Sequence, residues 1–345
     1  MRADLAGTTL TFIFSLQRRA RKLFSETLAR FKTPKLKVDA GKETYLNSFD
    51  YLEPTTLAEA FALLERHGEE ARVIAGGTSL IIWMRQRLLM PKVVISLARI
   101  PNFDAISFDA RDGLRIGAGA RHRDIELSPF VKQHYPLLHE TFRKVAQPRI
   151  RNMGTVGGNL AGGDPLTDPG ASLIALDAKV GVAGSKGQRT MPLEEFFVDY
   201  YQTALNPGEL LTEILVPPTN RPGWSHIKFT PRSVEDFATV GVALTLRVDA
   251  GTCQDVRIGL NSVASTILRA KRAEEVLRGR PITEAALREM GEVASTEVDP
   301  MDDNRGSSDY KREMVKVLVR RAAHEALQRA SVVSLTLLYI WRFWS

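Results

Sequence analysis

The sequence predicts a mixed α/β fold followed by a smaller α+β region, and three observations predict it. From Tyr45 to Val216, short apolar strand patterns alternate with helical ones. Within that stretch, two glycine-rich turns each join an apolar run to a helical pattern. Beyond Pro217 and Pro218 the pattern changes to consecutive strand candidates and then consecutive helices. With 44% hydrophobic and 25% charged residues, the 345-residue chain has the composition of a soluble globular protein with room for more than one domain.

Residues 1–44 read as an N-terminal extension, disordered or forming a basic amphipathic helix. Their apolar run at 10–16 precedes the basic residues Arg18, Arg19, Arg21 and Lys22, the reverse of a signal peptide's order. Regular structure begins at Tyr45. A helix capped by Thr55 or Thr56 runs through Leu57, Ala60, Phe61 and Leu64. Then come a strand at 72–75, a Gly76-Gly77 turn, an apolar helix at 79–88 and a strand at 93–97. A strand at 114–118, a helix from Arg123 and a helix at 136–145 lead into the glycine-rich loop 152–170. After it, a helix at 171–176, a strand at 179–183, a hairpin turn, a short helix at 193–197 and a strand at 210–216 end at the two prolines.

Past the prolines, strands are expected at 227–230, 239–248 and 253–260, and helices at 265–277, 283–293 and 310–330. The apolar tail 331–345 is shorter than the roughly 20 residues of a membrane span and is interrupted by Arg342. Docking on a partner is expected of it ahead of membrane contact.

The single cysteine, Cys253, excludes a disulfide framework and a cysteine-ligated zinc or iron–sulfur centre within this chain. Its net charge of +7 comes without an aromatic-interleaved basic face, which argues against a nucleic-acid partner. The six histidines lack metal-ligand spacing, and no nucleophile–base or paired-carboxylate arrangement emerges, so no metal ligand and no catalytic residue is assigned.

The informative chemistry lies in the two glycine-rich turns. In Val73, Ile74, Ala75, Gly76, Gly77, Thr78, Ser79 and Leu80, a strand meets two glycines, two hydroxyl residues and a helix start. Such a turn brings backbone N–H groups and the positive end of a helix close to an anion. The second, Thr155, Val156, Gly157, Gly158 and Asn159, continues to Asp164, Thr167 and Asp168, whose oxygens suit sugar hydroxyls. Neither fits the G-x-G-x-x-G or the P-loop pattern. A nucleotide diphosphate is the expected ligand.

Together, Ala75-Gly-Gly-Thr-Ser79 and Thr155-Val-Gly-Gly-Asn159, with Asp168 downstream, resemble the two diphosphate-binding loops of the FAD-binding subunit or domain in the xanthine dehydrogenase and carbon monoxide dehydrogenase family. The similarity runs over residues 49–327. It includes Arg149-Ile-Arg-Asn152, Gly208-Glu-Leu-Leu211, Lys228 with Asp236-Phe237-Ala238, and Asp299-Pro300 with Asp303 and Tyr310.

The resemblance implies a two-part FAD-binding domain of the vanillyl-alcohol-oxidase/PCMH type at 45–218 and a C-terminal α+β domain of the CO dehydrogenase flavoprotein type at 219–330. It also implies roles. Residues 73–80 would wrap the diphosphate, 155–159 would close over it, and Thr167 and Asp168 would bind the adenosine or ribityl portion. Val145, Ala146 and Leu211 would line the cofactor, and Lys228 would lie by the flavin ring, where a cation stabilises the reduced form. The family's partners would be a molybdopterin-binding large subunit and a [2Fe-2S] small subunit, assembled in the cytoplasm as a dimer of heterotrimers. Electrons would pass from the partner's clusters through FAD to NAD+ or a quinone. A stand-alone FAD-dependent oxidoreductase of the same fold is the alternative. The lone cysteine disfavours the benzoyl-CoA-reducing branch, which carries an additional cluster in this subunit.

Overall fold

The computed structural model describes residues 46–344, with side chains up to Ser331. The expected N-terminal extension at 1–44 lies outside the described residues. Two compact units are present. One comprises the described residues up to Phe103 with Gly184–Lys186 and Pro207–Glu209, and the other comprises the rest.

The first unit is a parallel three-stranded sheet. Its strands are β1 (Asp50–Leu52), β2 (Ala71–Ile74) and β3 (Val93–Ser96), in the order β1-β3-β2. Helix α1 (Leu57–His67) starts where Thr56 Oγ1 accepts the Glu59 N–H at 3.1 Å, which satisfies a first-turn donor. All four residues of β3 are buried. Val94 packs with Leu46, Phe49 and Met84, while Val93 and Ile95 pack with Ala71, so both faces of the strand are covered and the sequence runs apolar without alternation. Helix α2 is shorter than expected, Leu80–Arg85, and Arg87 just beyond it takes a left-handed φ of 52° that no helix continues through.

The second unit opens on a five-stranded sheet in the order β4-β5-β10-β6-β7. Its members are β4 (Ile106–Asp109), β5 (Gly113–Gly117), β6 (Lys179–Gly184), β7 (Gly187–Pro192) and, after the small hairpin β8 (Phe197–Asp199) and β9 (Gln202–Thr203), β10 (Leu210–Val216). Helices α3 (His122–Leu127), α4 (Pro129–His134), α5 (Pro136–Lys144) and α6 (Pro148–Arg151) follow β5, and each proline sits in a first turn, where its missing N–H costs no bond. The glycine-rich stretch expected as a loop contains two helices, α7 (Val156–Ala161) and α8, which begins at Asp168 and ends at Ala175.

Strands β11 (Gly223–Phe229), β12 (Val240–Asp249), β13 (Thr252–Asn261) and β14 (Leu268–Arg269) form an antiparallel meander. Beyond it come α10 (Lys271–Leu277), α11 (Glu284–Ser295) and α12 (Ser308–Trp344), with the short α9 (Leu193–Phe196) lying earlier in the chain. The helix expected at 265–277 begins only at Lys271, because Leu268 and Arg269 pair with Leu260 and Gly259. Val240, Val242, Leu244 and Leu246 point into a core completed by Met290, Leu318 and Ala322 from the helices. The opposite face receives α8. Thr245 Oγ1 donates to the Ala175 carbonyl at 2.7 Å, and a Cβ on Gly259 would lie 2.1 Å from the Ala171 carbonyl oxygen. These contacts join segments before and after Pro217 and Pro218 within the second unit.

Helix α12 carries the backbone of the tail to Trp344, and Ala330 is its last core residue. Among the described residues no helix is long and apolar enough to cross a membrane.

Candidate cofactor site

In the first unit the turn after β2 is built for a close backbone approach. Gly77 has φ 71°, and a Cβ there would stand 3.1 Å from Ile74 Cδ1, so a side chain is disfavoured by both conformation and space. The carbonyls of Gly77 and Ser79 accept the N–H groups of Ile81 and Trp83 at 3.0 Å. By contrast, the N–H groups of Gly76, Gly77, Thr78 and Ser79 donate to no other described residue. Ser79 is exposed and its neighbours are half-buried, so these donors are within reach of a ligand. A run of unpaired N–H groups beside an open surface suits an anionic oxygen cluster such as a diphosphate.

The second turn, in the second unit, is different chemically. Val156 donates its N–H to the Ala120 carbonyl and Gly157 to the Ala118 carbonyl, each at 2.9 Å; Gly158 donates to Thr155 Oγ1 at 3.1 Å, and Asn159 to the Thr155 carbonyl at 3.0 Å. These backbone donors, expected to be free for a ligand, are engaged within the chain. The glycines here serve packing: a Cβ on Gly157 would lie 2.5 Å from Ala118 Cβ and 2.6 Å from its carbonyl oxygen. What remains for a ligand is a side chain, since the buried Asn159 Oδ1 has no partner among the described residues.

Val145 and Ala146 follow directly on α5. Ala146 takes a left-handed φ of 40°, and the turn is held by Arg151, whose guanidinium donates to both the Val145 and Ala146 carbonyls at 2.9 and 2.8 Å. A buried Glu126 fixes that guanidinium at 2.9 Å from Nε and is itself held by Arg123 at 2.7 Å. Leu211 is buried in β10 opposite Val182 of β6.

Asp168 and Lys228 meet. Lys228 Nζ lies 2.9 Å from Asp168 Oδ2 and donates to the Lys144 carbonyl at 2.8 Å, with side-chain exposures of 2% for the lysine and 5% for the aspartate. Lys228 is therefore neither a surface lysine nor free to offer its whole charge elsewhere. Burial pushes the Asp168 carboxyl up to about 6, although Lys228 and Lys144 pull the other way. Asp168 Oδ1 is buried and has no partner among the described residues. Beside the pair, His226 is buried with neither ring nitrogen partnered among the described residues, and burial together with Lys144 and Lys228 holds it down to about 3, as the neutral imidazole. Thr167, at the N-cap of α8, donates its hydroxyl to the Asp164 carbonyl at 3.0 Å.

Lys144 and Arg151 are the members of this arrangement that no sequence signal marked as such. Lys144 precedes Val145, and Arg151 lies inside the Arg149-Ile-Arg-Asn152 stretch, so proximity to a marked motif was the available clue. Among the described residues no cluster of histidine, cysteine, aspartate and glutamate could hold a metal ion.

The chain is similar to known proteins. Residues 47–219 match the family model of the FAD binding domain in molybdopterin dehydrogenase, and residues 225–326 match that of the CO dehydrogenase flavoprotein C-terminal domain. The carbon monoxide dehydrogenase medium chain of Afipia carboxidovorans is 38% identical over 284 residues, covering 82% of this chain and 98% of the relative. The glyceraldehyde dehydrogenase medium chain of Sulfolobus acidocaldarius is 32% identical, over 81% of this chain and 99% of the relative. The solved carbon monoxide dehydrogenase of Hydrogenophaga pseudoflava superimposes with a TM-score of 0.80 at 38% identity, covering 82% of this chain and 99% of that one. Both glycine turns, Asp168 and Leu211 fall within the FAD-binding match, and Lys228 within the C-terminal match. The chain thus belongs to the molybdopterin dehydrogenase flavoproteins, as an FAD-binding medium subunit of the molybdenum hydroxylase oxidoreductases.

Proposed function

We propose that this subunit relays electrons from [2Fe-2S] centres on a small partner subunit, through FAD, to NAD+ or a quinone, while a large molybdopterin-binding partner oxidises the substrate. FAD supplies the redox chemistry by accepting electrons and passing them on. The chain's own residues bind and orient it. Gly76 to Ser79 donate backbone N–H groups to the diphosphate, Asn159 and Asp168 offer side-chain oxygens to hydroxyl or amine donors, and Val145, Ala146 and Leu211 line the cofactor.

One observation carries the relay over a self-contained oxidoreductase. Lys228 is bound to Asp168 and Arg151 to Glu126, all nearly buried, and His226 beside them is buried and neutral, so none of these side chains stands exposed to move a proton on a separate substrate. Such a site holds a cofactor and leaves substrate chemistry to another chain.

Two measurements test this reading. The purified chain, supplied with FAD, is expected to keep the flavin's visible absorbance through gel filtration. Expressed with its neighbours, it is expected to co-purify with a large molybdenum subunit and a small iron–sulfur subunit, and native mass spectrometry would show two copies of the heterotrimer. A flavin-free chain would sink the proposal. So would a lone flavoprotein that turns over a substrate unaided.

A further inference from the structure

Lys228 carries a cation into the site, yet its surroundings leave little of it for the cofactor. Its ammonium faces Asp168 Oδ2 at 2.9 Å and the Lys144 carbonyl at 2.8 Å, and the side chain is 2% exposed. These two contacts join three segments: β11, the end of α5 just before Val145, and the first residue of α8. Asp168, in contrast, has one oxygen filled by Lys228 and one, Oδ1, buried without a donor. A buried carboxylate oxygen left unpaired is costly, so this atom is the one that calls for a ligand hydroxyl.

We propose that Lys228 acts on FAD only through Asp168: it is a positioning residue that keeps the carboxylate ionised and turned so that Oδ1 accepts a hydrogen bond from a sugar-chain hydroxyl of the cofactor.

The proposal rests on the assignment of Asp168 to the FAD site and departs from a direct contact between Lys228 and the flavin. The electrostatics agree with it. Burial opposes ionisation of Asp168 and already lifts its carboxyl to about 6, so the two lysines are what keep it charged near neutrality. The titratable groups packed around it are Lys228 and His226 on β11 and Lys144 on α5; Lys144 is also paired with Glu140 at 2.9 Å. His226 stays neutral beside two lysines and adds no charge. Starting α8, Asp168 also receives the favourable end of the helix dipole. Without Lys228 the carboxyl would protonate, and a protonated Oδ1 no longer accepts as strongly.

A double-mutant cycle on the full chain, read as the FAD dissociation constant by flavin fluorescence, tests this. Lys228→Met is expected to weaken FAD binding by about tenfold or more, the size of one charge-assisted hydrogen bond. It should also shift the pH midpoint of FAD retention upward, while Lys228→Arg shifts it less. Asp168→Asn should weaken binding to a similar extent, and adding Lys228→Met to it should cost nothing further. The double variant removes both charges of the pair, so it keeps a folded reference if Lys228→Met alone does not fold. An equal loss from Lys228→Met with and without Asp168 would overturn the proposal, because the lysine would then be touching FAD itself. Unchanged affinity in Asp168→Asn would overturn it too. A wild-type chain that holds no FAD would instead defeat the underlying site assignment, so the two failures are distinguishable.

Discussion

At the scale of single residues, the two glycine turns look alike in sequence and differ in what their glycines do. Gly77 bears a left-handed φ within a run, Gly76 to Ser79, whose N–H groups have no partner among the described residues, whereas Gly157 has its N–H bonded and its Cα pressed against Ala118. Substitution therefore separates binding from folding. Gly77→Ala should strain the turn by about 1 to 2 kcal/mol, lowering the melting temperature to match, and should in addition reduce FAD affinity. Gly157→Ala should destabilise the second unit by about 1 to 3 kcal/mol, because the nearest atoms are a neighbouring Cβ, Cα and carbonyl oxygen that cannot swing aside. Thermal melts of the two apo variants beside FAD titrations check both. A sequence shows that glycine is present, and only the fold shows whether the missing Cβ makes room for a ligand or for the chain. For the same reason the Lys228–Asp168 pair could not be read from the sequence. A lysine and an aspartate sixty positions apart in the sequence are placed 2.9 Å apart by the fold.

Among elements, those with long apolar periodicity were legible: α1, β10, β12, β13 and α11 lie where the pattern places them. The unforeseen ones are short, as with β4, the β8–β9 hairpin and β14, whose two to four residues carry too little pattern. Helix α7 was hidden by its own glycines, which lower helix propensity; the Thr155 cap and the bonds to Ala118 and Ala120 make up the difference. The connection from α5 to α6 shows how an irregular element is held. Ala146 sits at φ 40° because Arg151 ties down its carbonyl and that of Val145, with Glu126 behind. Arg151→Met leaves the buried Glu126 with Arg123 as its remaining cation and should cost about 3 kcal/mol. Arg151→Lys should fall between, since an ammonium cannot reproduce the planar fork. Chemical denaturation of both variants measures the order.

Taken whole, the molecule binds its second unit together through buried polar groups, and that makes its stability depend on pH. The buried Arg221, just past Pro217 and Pro218, is held to Asp177 before them at 2.7 Å and to Asp255 after them at 2.9 Å, so its ion pairs tie the segments on either side of the two prolines together. Three buried titratable groups contribute strongly to the acid response. His122 is held down to about 4 by burial and Arg151, and His226 down to about 3, both from 6.5. As pH falls below 6.5 the unfolded chain takes up a proton on each that the folded chain refuses, so both destabilise the fold on acidification. Asp168, raised from 3.8 to about 6, works in the opposite sense: over that window the folded chain holds the extra proton, and stability falls as pH rises. The two histidines therefore make the FAD-free chain less stable as pH falls through that window, while Asp168, and Asp164, whose carboxyl burial also raises, offset part of the loss. His226→Leu removes one of the two opposing histidines and should make the fall in stability on acidification shallower, a difference that urea denaturation at several pH values would resolve. An unchanged slope in this variant would mean that His226 is protonated within the folded chain, against its position between two lysines.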